Sequence, residues 1–268
     1  GDELFAGYNR HVVGSKLWGR FSNVPFPIRS FTSRTFAALP VAVVKNLVRL
    51  FSPILPKILS GAQSVDQIYK MFALLGCANE QEACMSFVSL WRNPESVVQG
   101  VASDHSLKHW DTVAKAYSTF CERLQAFDLK TYLTDDILVK VDRATMAHSL
   151  EARAPFLDHD LVSFAMSIPT SLRVRNGQGK WILRQLAYRY VPQKLLERPK
   201  AGFALPIAEW LRGPLREWAE ALLNEQRLRE DGYFDAKVVR DLWQSHLSGA
   251  VNAQTRLWCV LMFQAWLA

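Results

Sequence analysis

The chain has 268 residues, 49% of them hydrophobic, and 32 Lys and Arg against 25 Asp and Glu give a formal net charge of +7. That length and apolar content suffice for one large domain or two small ones and exclude a chain disordered throughout. The positive balance admits a nucleotide, a nucleic acid or a lipid surface as partner without selecting one, and basic residues scattered over an enzyme account for it as well.

The first residues, Gly1-Asp2-Glu3-Leu4-Phe5-Ala6-Gly7-Tyr8, set adjacent carboxylates beside glycine. Such a loop suits Mg²⁺ on a nucleotide, because Mg²⁺ takes one or two carboxylates together with phosphate oxygens and water. The same residues also fit a capped helix start with acids in its first turn. Pro25, Pro27, Pro40, Pro53 and Pro56 then predict an irregular region of short, proline-bounded helices. Within it Val41, Val44, Leu47, Val48 and Phe51 share one helical side and Lys45 and Arg49 the other. With so few charges this is a helix packed on its own domain rather than a membrane-surface anchor.

From 65 to 133 the apolar spacing stays helical, through Ile68, Phe72 and Leu75, then Phe87, Leu90 and Trp91, then Val113, Tyr117, Phe120 and Leu124. Alternation of period two is scarce, so the chain is expected to be mainly α, with loops carrying the chemistry. Thr134 is the predicted N-cap of a helix running to about Ser149, with Asp135 and Asp136 in its first turn. Ile137, Val141 and Ala144 give that helix an apolar face; Asp135, Asp142 and Ser149 form a polar stripe that is either its wet side or the wall of a cleft. Asp158 is the predicted cap of a helix ending at Pro169, and a further helix, Lys180 to Val191, follows the Asn176-Gly177 turn and stops before Pro192. Tryptophans 210, 218, 243, 258 and 266 punctuate a helical tail as core residues.

Two further clusters could carry chemistry. In Ser149-Leu150-Glu151-Ala152-Arg153-Ala154-Pro155-Phe156-Leu157-Asp158, Pro155 forces Ala154 extended, and Glu151 and Arg153 point the same way. They are either a carboxylate beside a fixed cation at a cleft wall or a structural ion pair. Arg198-Pro199-Lys200-Ala201-Gly202-Phe203 holds two cations in a loop stiffened by proline, suited to phosphate, although a solvated basic loop has the same composition. Lys180 and Arg184, one turn apart, could extend that positive surface. Cys77, Cys84, Cys121 and Cys259 are too dispersed for a metal knuckle or a disulfide scaffold and read as buried free thiols in a reducing cytosol. His105 and His109 lie four apart but lack companion ligands. No apolar run is long enough to span a bilayer.

Taken in order, Gly1 to Tyr8, the stretch Tyr132 to Asp158 with Asp142-Arg143, then Lys180-Trp181-Ile182-Leu183-Arg184 and Arg198 to Phe203 resemble the glutamine-hydrolysing asparagine synthetases. The motifs lie in 1–10 and 130–212; in 20–125 and after 215 the likeness is general helicity. The resemblance implies that 1–268 is the mainly α, carboxy-terminal part of an α/β adenine-nucleotide α-hydrolase-like (ATP pyrophosphatase) synthetase domain. That domain adenylates the aspartate side chain with ATP and Mg²⁺, and ammonia from glutamine then displaces AMP. The family's amino-terminal glutaminase domain, with its cysteine nucleophile, and its Ser-Gly-Gly-x-Asp-Ser pyrophosphate loop are absent from this sequence. The expectation is therefore an incomplete fragment, inactive alone, whose partners are those missing segments, with a homodimer among the assemblies open to it. It is expected to be cytoplasmic, with no nucleic-acid partner. By position, Asp2 would hold Mg²⁺ and pyrophosphate with Glu3 supporting the loop. Lys200 would bind nucleotide and stabilise charge in catalysis, Glu151 would act at the cleft wall, and Arg153 would orient substrate. The alternatives are an amidotransferase or β-lactam-forming enzyme acting on another carboxylate, or a non-enzymatic basic helical module binding through Lys45 and Arg49.

Overall fold

The computed structural model describes residues 1–39, 43, 71–91, 93–101, 107–197 and 205–268. Among these, all named elements are helical, and β pairing is confined to isolated bridges joining Val98 to Phe234 and Arg175 to Gln178. The expectation of a mainly α chain is met. The amphipathic stretch at 41–51, Ile68, His105 and the Arg198–Phe203 loop with Lys200 lie outside the described residues. The chain divides into two compact units, Gly1–Val88 with Ser106–Arg198, and Ser89–His105 with Pro199–Ala268.

The first unit is built on one buried helix. In order it contains α1 (Ser15–Phe21), α2 (Phe26–Ala38), α3 (Glu80–Val88), α4 (Trp110–Ala116) and α5 (Phe120–Lys130). Thr119 starts α5 with a reciprocal cap, its hydroxyl accepting from the Glu122 N–H at 3.2 Å while the Glu122 carboxylate accepts from the Thr119 N–H. Phe120, Leu124 and Phe127, spaced four and three apart, pack from one side of α5 onto Leu17, Trp18 and Trp110. α2 is proline-bounded as predicted, but at 13 residues it is not short. Its prolines fall at the start, where the missing N–H has no helical partner to lose.

Beyond α5 a π-helical turn, Tyr132–Leu138, leads into α6 (Val139–Met146). Thr134 is therefore not a cap. It lies inside the helical run, and its hydroxyl bonds back to the carbonyls of Lys130 and Thr131, both at 3.1 Å. The run stops short of Ser149, whose φ of +58° turns the chain away. The predicted apolar face also fails to bury: Val141 and Ala144 are exposed, and no residue of α6 is buried. α7 (His159–Ser167) is capped as expected, Asp158 Oδ1 accepting from the Leu161 N–H at 3.0 Å. After α8 (Thr170–Arg173), Asn176 and Gly177 at φ +54° and +76° form a tight turn closed by paired Arg175–Gln178 backbone bonds. α9 (Trp181–Ala187) is shorter than the predicted Lys180–Val191, its last residues unwinding into turns before Pro192.

In the second unit α10 (Ile207–Arg212), α11 (Arg216–Leu222), α12 (Glu225–Asp231), α13 (Ala236–Leu247) and α14 (Gln254–Leu267) surround Trp243. Trp243 is the one of the five tail tryptophans that is fully buried; Trp266 is 78% exposed. Cys259 is likewise exposed, on the outer side of α14 with Met262 and Trp266, whereas Cys77, Cys84 and Cys121 are buried as predicted. Helical spacing marks an apolar face but not which face has a neighbour. Replacing Trp243 with Ala is expected to destabilise the second unit by about 3–5 kcal/mol, read as a lower denaturant midpoint of its unfolding.

Candidate active site

The amino-terminal segment is a chain of tight turns. Phe5 N–H bonds to Gly1 O at 3.2 Å, Gly7 N–H bonds to Asp2 O at 2.7 Å, and Ala6 between them has φ +55°. A second tight segment lies against it: Lys180, left-handed at φ +56°, donates its N–H to Phe5 O at 2.7 Å. A Cβ on Gly179 would collide with the Ala6 carbonyl, so that backbone approach requires glycine, and one on Gly7 would displace Asp2 Oδ1 and the Lys180 stem from their present places. The result is a half-exposed ion pair, Lys180 Nζ to Asp2 Oδ2 at 2.8 Å.

The two adjacent carboxylates have opposite fates. Glu3 is buried and accepts from the Tyr8 hydroxyl at 2.6 Å. Burial, and then that hydrogen bond, push the Tyr8 hydroxyl well above its usual pKa, so Tyr8 stays protonated as a donor. Asp2 is the one of the two that pairs with a lysine. The expected acidic loop thus exists, but Glu3 is committed to its interior.

The polar edge of α5 fixes this segment from behind. Gln125 Nε2 donates to Glu3 O at 2.7 Å and Leu4 O at 2.9 Å, and Asp128 Oδ2 accepts from Arg10 Nε at 2.7 Å and His11 Nε2 at 2.5 Å. The Arg10 guanidinium lies 4.4 Å from the Tyr8 ring centre and 4.9 Å from that of Tyr132. Asp128 also raises the pKa of the Cys84 thiol, after the larger effect of burial. Burial pushes Cys121 up to about 11. Neither thiol is a thiolate at neutral pH.

Glu151 and Arg153 form an ion pair with each other at 2.8 Å, 64% and 82% exposed. Their segment still abuts the loop, since Phe156 meets Phe5 edge to face at 5.9 Å. Lys180 and Arg184 do not form one positive surface: Arg184 pairs with Glu197 at 2.7 Å, and Tyr188 and Gln178 donate to the same carboxylate. Among the described residues no group of three or more His, Cys, Asp or Glu side chains could hold a metal ion, and no helix is long and apolar enough to cross a membrane.

The Lys180–Asp2 contact and the Glu122–Gln125–Asp128 stripe escaped sequence reasoning. The stripe has a signal in the sequence, because polar residues recur every three positions along one edge of a helix whose other face carries Phe120, Leu124 and Phe127.

The asparagine synthase family model matches residues 1–268. The chain belongs to that family. Over 99% of its length it is 28% identical to the glutamine-hydrolyzing asparagine synthetase 1 of Bacillus subtilis and 32% identical to a putative glutamine-hydrolyzing asparagine synthetase of Mycobacterium bovis. An amidase of Gibberella zeae is 28% identical over 59% of the chain and 23% of its own length. The chain spans 38% and 37% of the length of the two synthetases. No solved structure gives a significant match.

The buried Tyr8–Glu3 contact generates a pH signature. Because the folded chain holds the Tyr8 proton more tightly than the unfolded chain, whose value is about 10, its contribution is complete below pH 10 and is lost as pH rises beyond it. Tyr8→Phe is expected to lower the denaturant midpoint at pH 8 and to flatten its further fall between pH 9 and 11, both relative to wild type.

Proposed function

We propose that this chain forms the helical wall of an ATP-dependent amide-forming site, within a synthetase that adenylates the aspartate side chain and transfers glutamine-derived ammonia to it. The observation that carries the proposal is the Asp2–Lys180 pair, presented by two glycine-dependent segments in a chain matched to the asparagine synthase family throughout. A carboxylate beside an amine is the donor set that a cation-bound phosphate requires: Asp2 suits Mg²⁺ and Lys180 suits a phosphate oxygen. Mg²⁺ bound there would withdraw charge from the phosphates and make pyrophosphate a better leaving group.

In the reaction, an oxygen of the aspartate side-chain carboxylate attacks the α-phosphorus of ATP, and the bond to the β-phosphate oxygen breaks to release pyrophosphate. Ammonia then attacks the acyl carbon, AMP departs, and the nitrogen loses a proton to give the amide. Asp2 orients the phosphates, and Lys180 exchanges its carboxylate partner for phosphate. Lys200 adds a cation as negative charge develops. Glu151 and Arg153 belong to the wall beside the loop through Phe156. The complete domain is of the α/β adenine-nucleotide α-hydrolase-like type, with its pyrophosphate loop and glutaminase domain outside this sequence. Exposed apolar residues such as Val139, Val141, Leu150 and Phe164 are surface that further synthetase chain would cover.

ATP–pyrophosphate exchange by the full-length protein tests the reading. Lys200→Ala is expected to lose about 10²–10³ of the aspartate-dependent rate, the usual cost of one charge-stabilising donor. Near-normal exchange would remove Lys200 from the mechanism. Exchange dependent on another acid in place of aspartate would move the reaction to a different acceptor.

A further inference from the structure

Gln125 is fully buried, and its amide group is saturated by partners from two other parts of the chain. Its Nε2 donates to Glu3 O at 2.7 Å and Leu4 O at 2.9 Å, the carbonyls immediately after Asp2. Its Oε1 accepts from Arg173 Nη1 at 3.1 Å. Arg173, equally buried, donates from Nη2 to Glu122 Oε1 at 3.1 Å, and the Thr170 hydroxyl donates to the same oxygen at 2.5 Å. Burial would raise the Glu122 carboxyl, but the hydroxyls of Thr170 and Thr119 and the Arg173 guanidinium outweigh it and keep it ionised.

Arg173 ends α8, and the closed Arg175–Gln178 turn carries the chain directly on to Gly179 and Lys180. Gln125 therefore grips the backbone after Asp2 with one end and, through Arg173, the segment leading to Lys180 with the other. A buried amide with fixed partners at both ends has a single orientation, because turning it over would set donors against donors and carbonyl against carbonyl.

We infer that Gln125 is a positioning residue for the phosphate site: it registers the Asp2 loop and the Lys180 segment on one helix and so sets the separation of carboxylate and amine. The inference rests on the reading of Asp2 given above. Its consequence falls on the Asp2–Lys180 pair, because the relay's hydrogen bonds run to the Glu3 and Leu4 carbonyls and, through Arg173, to Glu122.

Gln125→Glu in the full-length protein tests it. Glutamate keeps the size and the acceptor for Arg173 but cannot donate to the Glu3 and Leu4 carbonyls. Expected are faster amide hydrogen exchange at Phe5 and Gly7, and a rise of about tenfold in both the MgATP dissociation constant and its KM, one tenfold step corresponding to a single modest hydrogen-bonding loss. The KM for the acceptor acid and kcat at saturating MgATP stay within about twofold, where general loss of folded protein would lower kcat alone. An unchanged MgATP constant in folded Gln125→Glu overturns the proposal, as does a lower kcat with KM unmoved. Should that variant not fold, Arg173→Lys keeps the charge but loses the fork joining Gln125 to Glu122. It is expected to raise the same constant, and an unchanged constant in the folded variant is equally decisive against it. Asp2→Asn, measured alongside, separates the two readings. If it leaves MgATP binding unchanged, the assignment of Asp2 fails and this proposal with it. If Asp2→Asn weakens binding and Gln125→Glu does not, only the role of Gln125 fails.

Discussion

The first unit depends on burying a polar stripe. Glu122, Gln125 and Asp128 stand three residues apart on α5, and Gln125 and Asp128 are almost wholly removed from water. A buried amide or carboxylate without a partner costs several kcal/mol in an apolar setting, so the rest of the unit must bring partners to it. They come from distant stretches: the carbonyls of Glu3 and Leu4, the side chains of Arg10 and His11, and Arg173. The apolar face of the same helix would accept many neighbours of suitable size; the polar edge accepts few, because direction and sign must both match. Packing makes the unit compact, and the stripe makes its connections specific.

This division of labour explains what could be read from the sequence. The helical class, the cap at Asp158 and the turn at Asn176-Gly177 are local, set by residues within four positions of one another. The acidic loop was legible as a loop of carboxylates and glycine. Which carboxylate turns inward was not, because that depends on Tyr8 closing on Glu3 and on Gln125 holding the backbone from a helix more than a hundred residues away. Thr134 was misread for a local reason of another kind: threonine satisfies its hydroxyl equally well by capping a helix or by bonding back within one. For the tail tryptophans, helical spacing revealed a stripe but could not say that Trp243 alone of the five is fully buried.

The two outcomes for paired charges on this chain also have one cause. Glu151 and Arg153 share a short extended segment and meet in open solvent, where water competes for both. Asp2 and Lys180 are brought together by backbone, through the Lys180 N–H on Phe5 O and the glycines at 7 and 179. A contact enforced by the main chain loses less side-chain freedom when it forms, so geometry rather than charge distinguishes the two pairs.

Position 180 makes two demands that no single amino acid meets comfortably. Its left-handed backbone, at φ +56° and ψ +29°, favours glycine or asparagine, and its place beside Asp2 is filled by a long amine. Lysine sacrifices about 1–2 kcal/mol of backbone comfort for a half-exposed ion pair worth about 1 kcal/mol or less. Judged by stability alone the residue is a poor choice. Engineering this chain for heat resistance would therefore select glycine or asparagine at 180, and would strip Asp2 of its cation while every stability measurement improved.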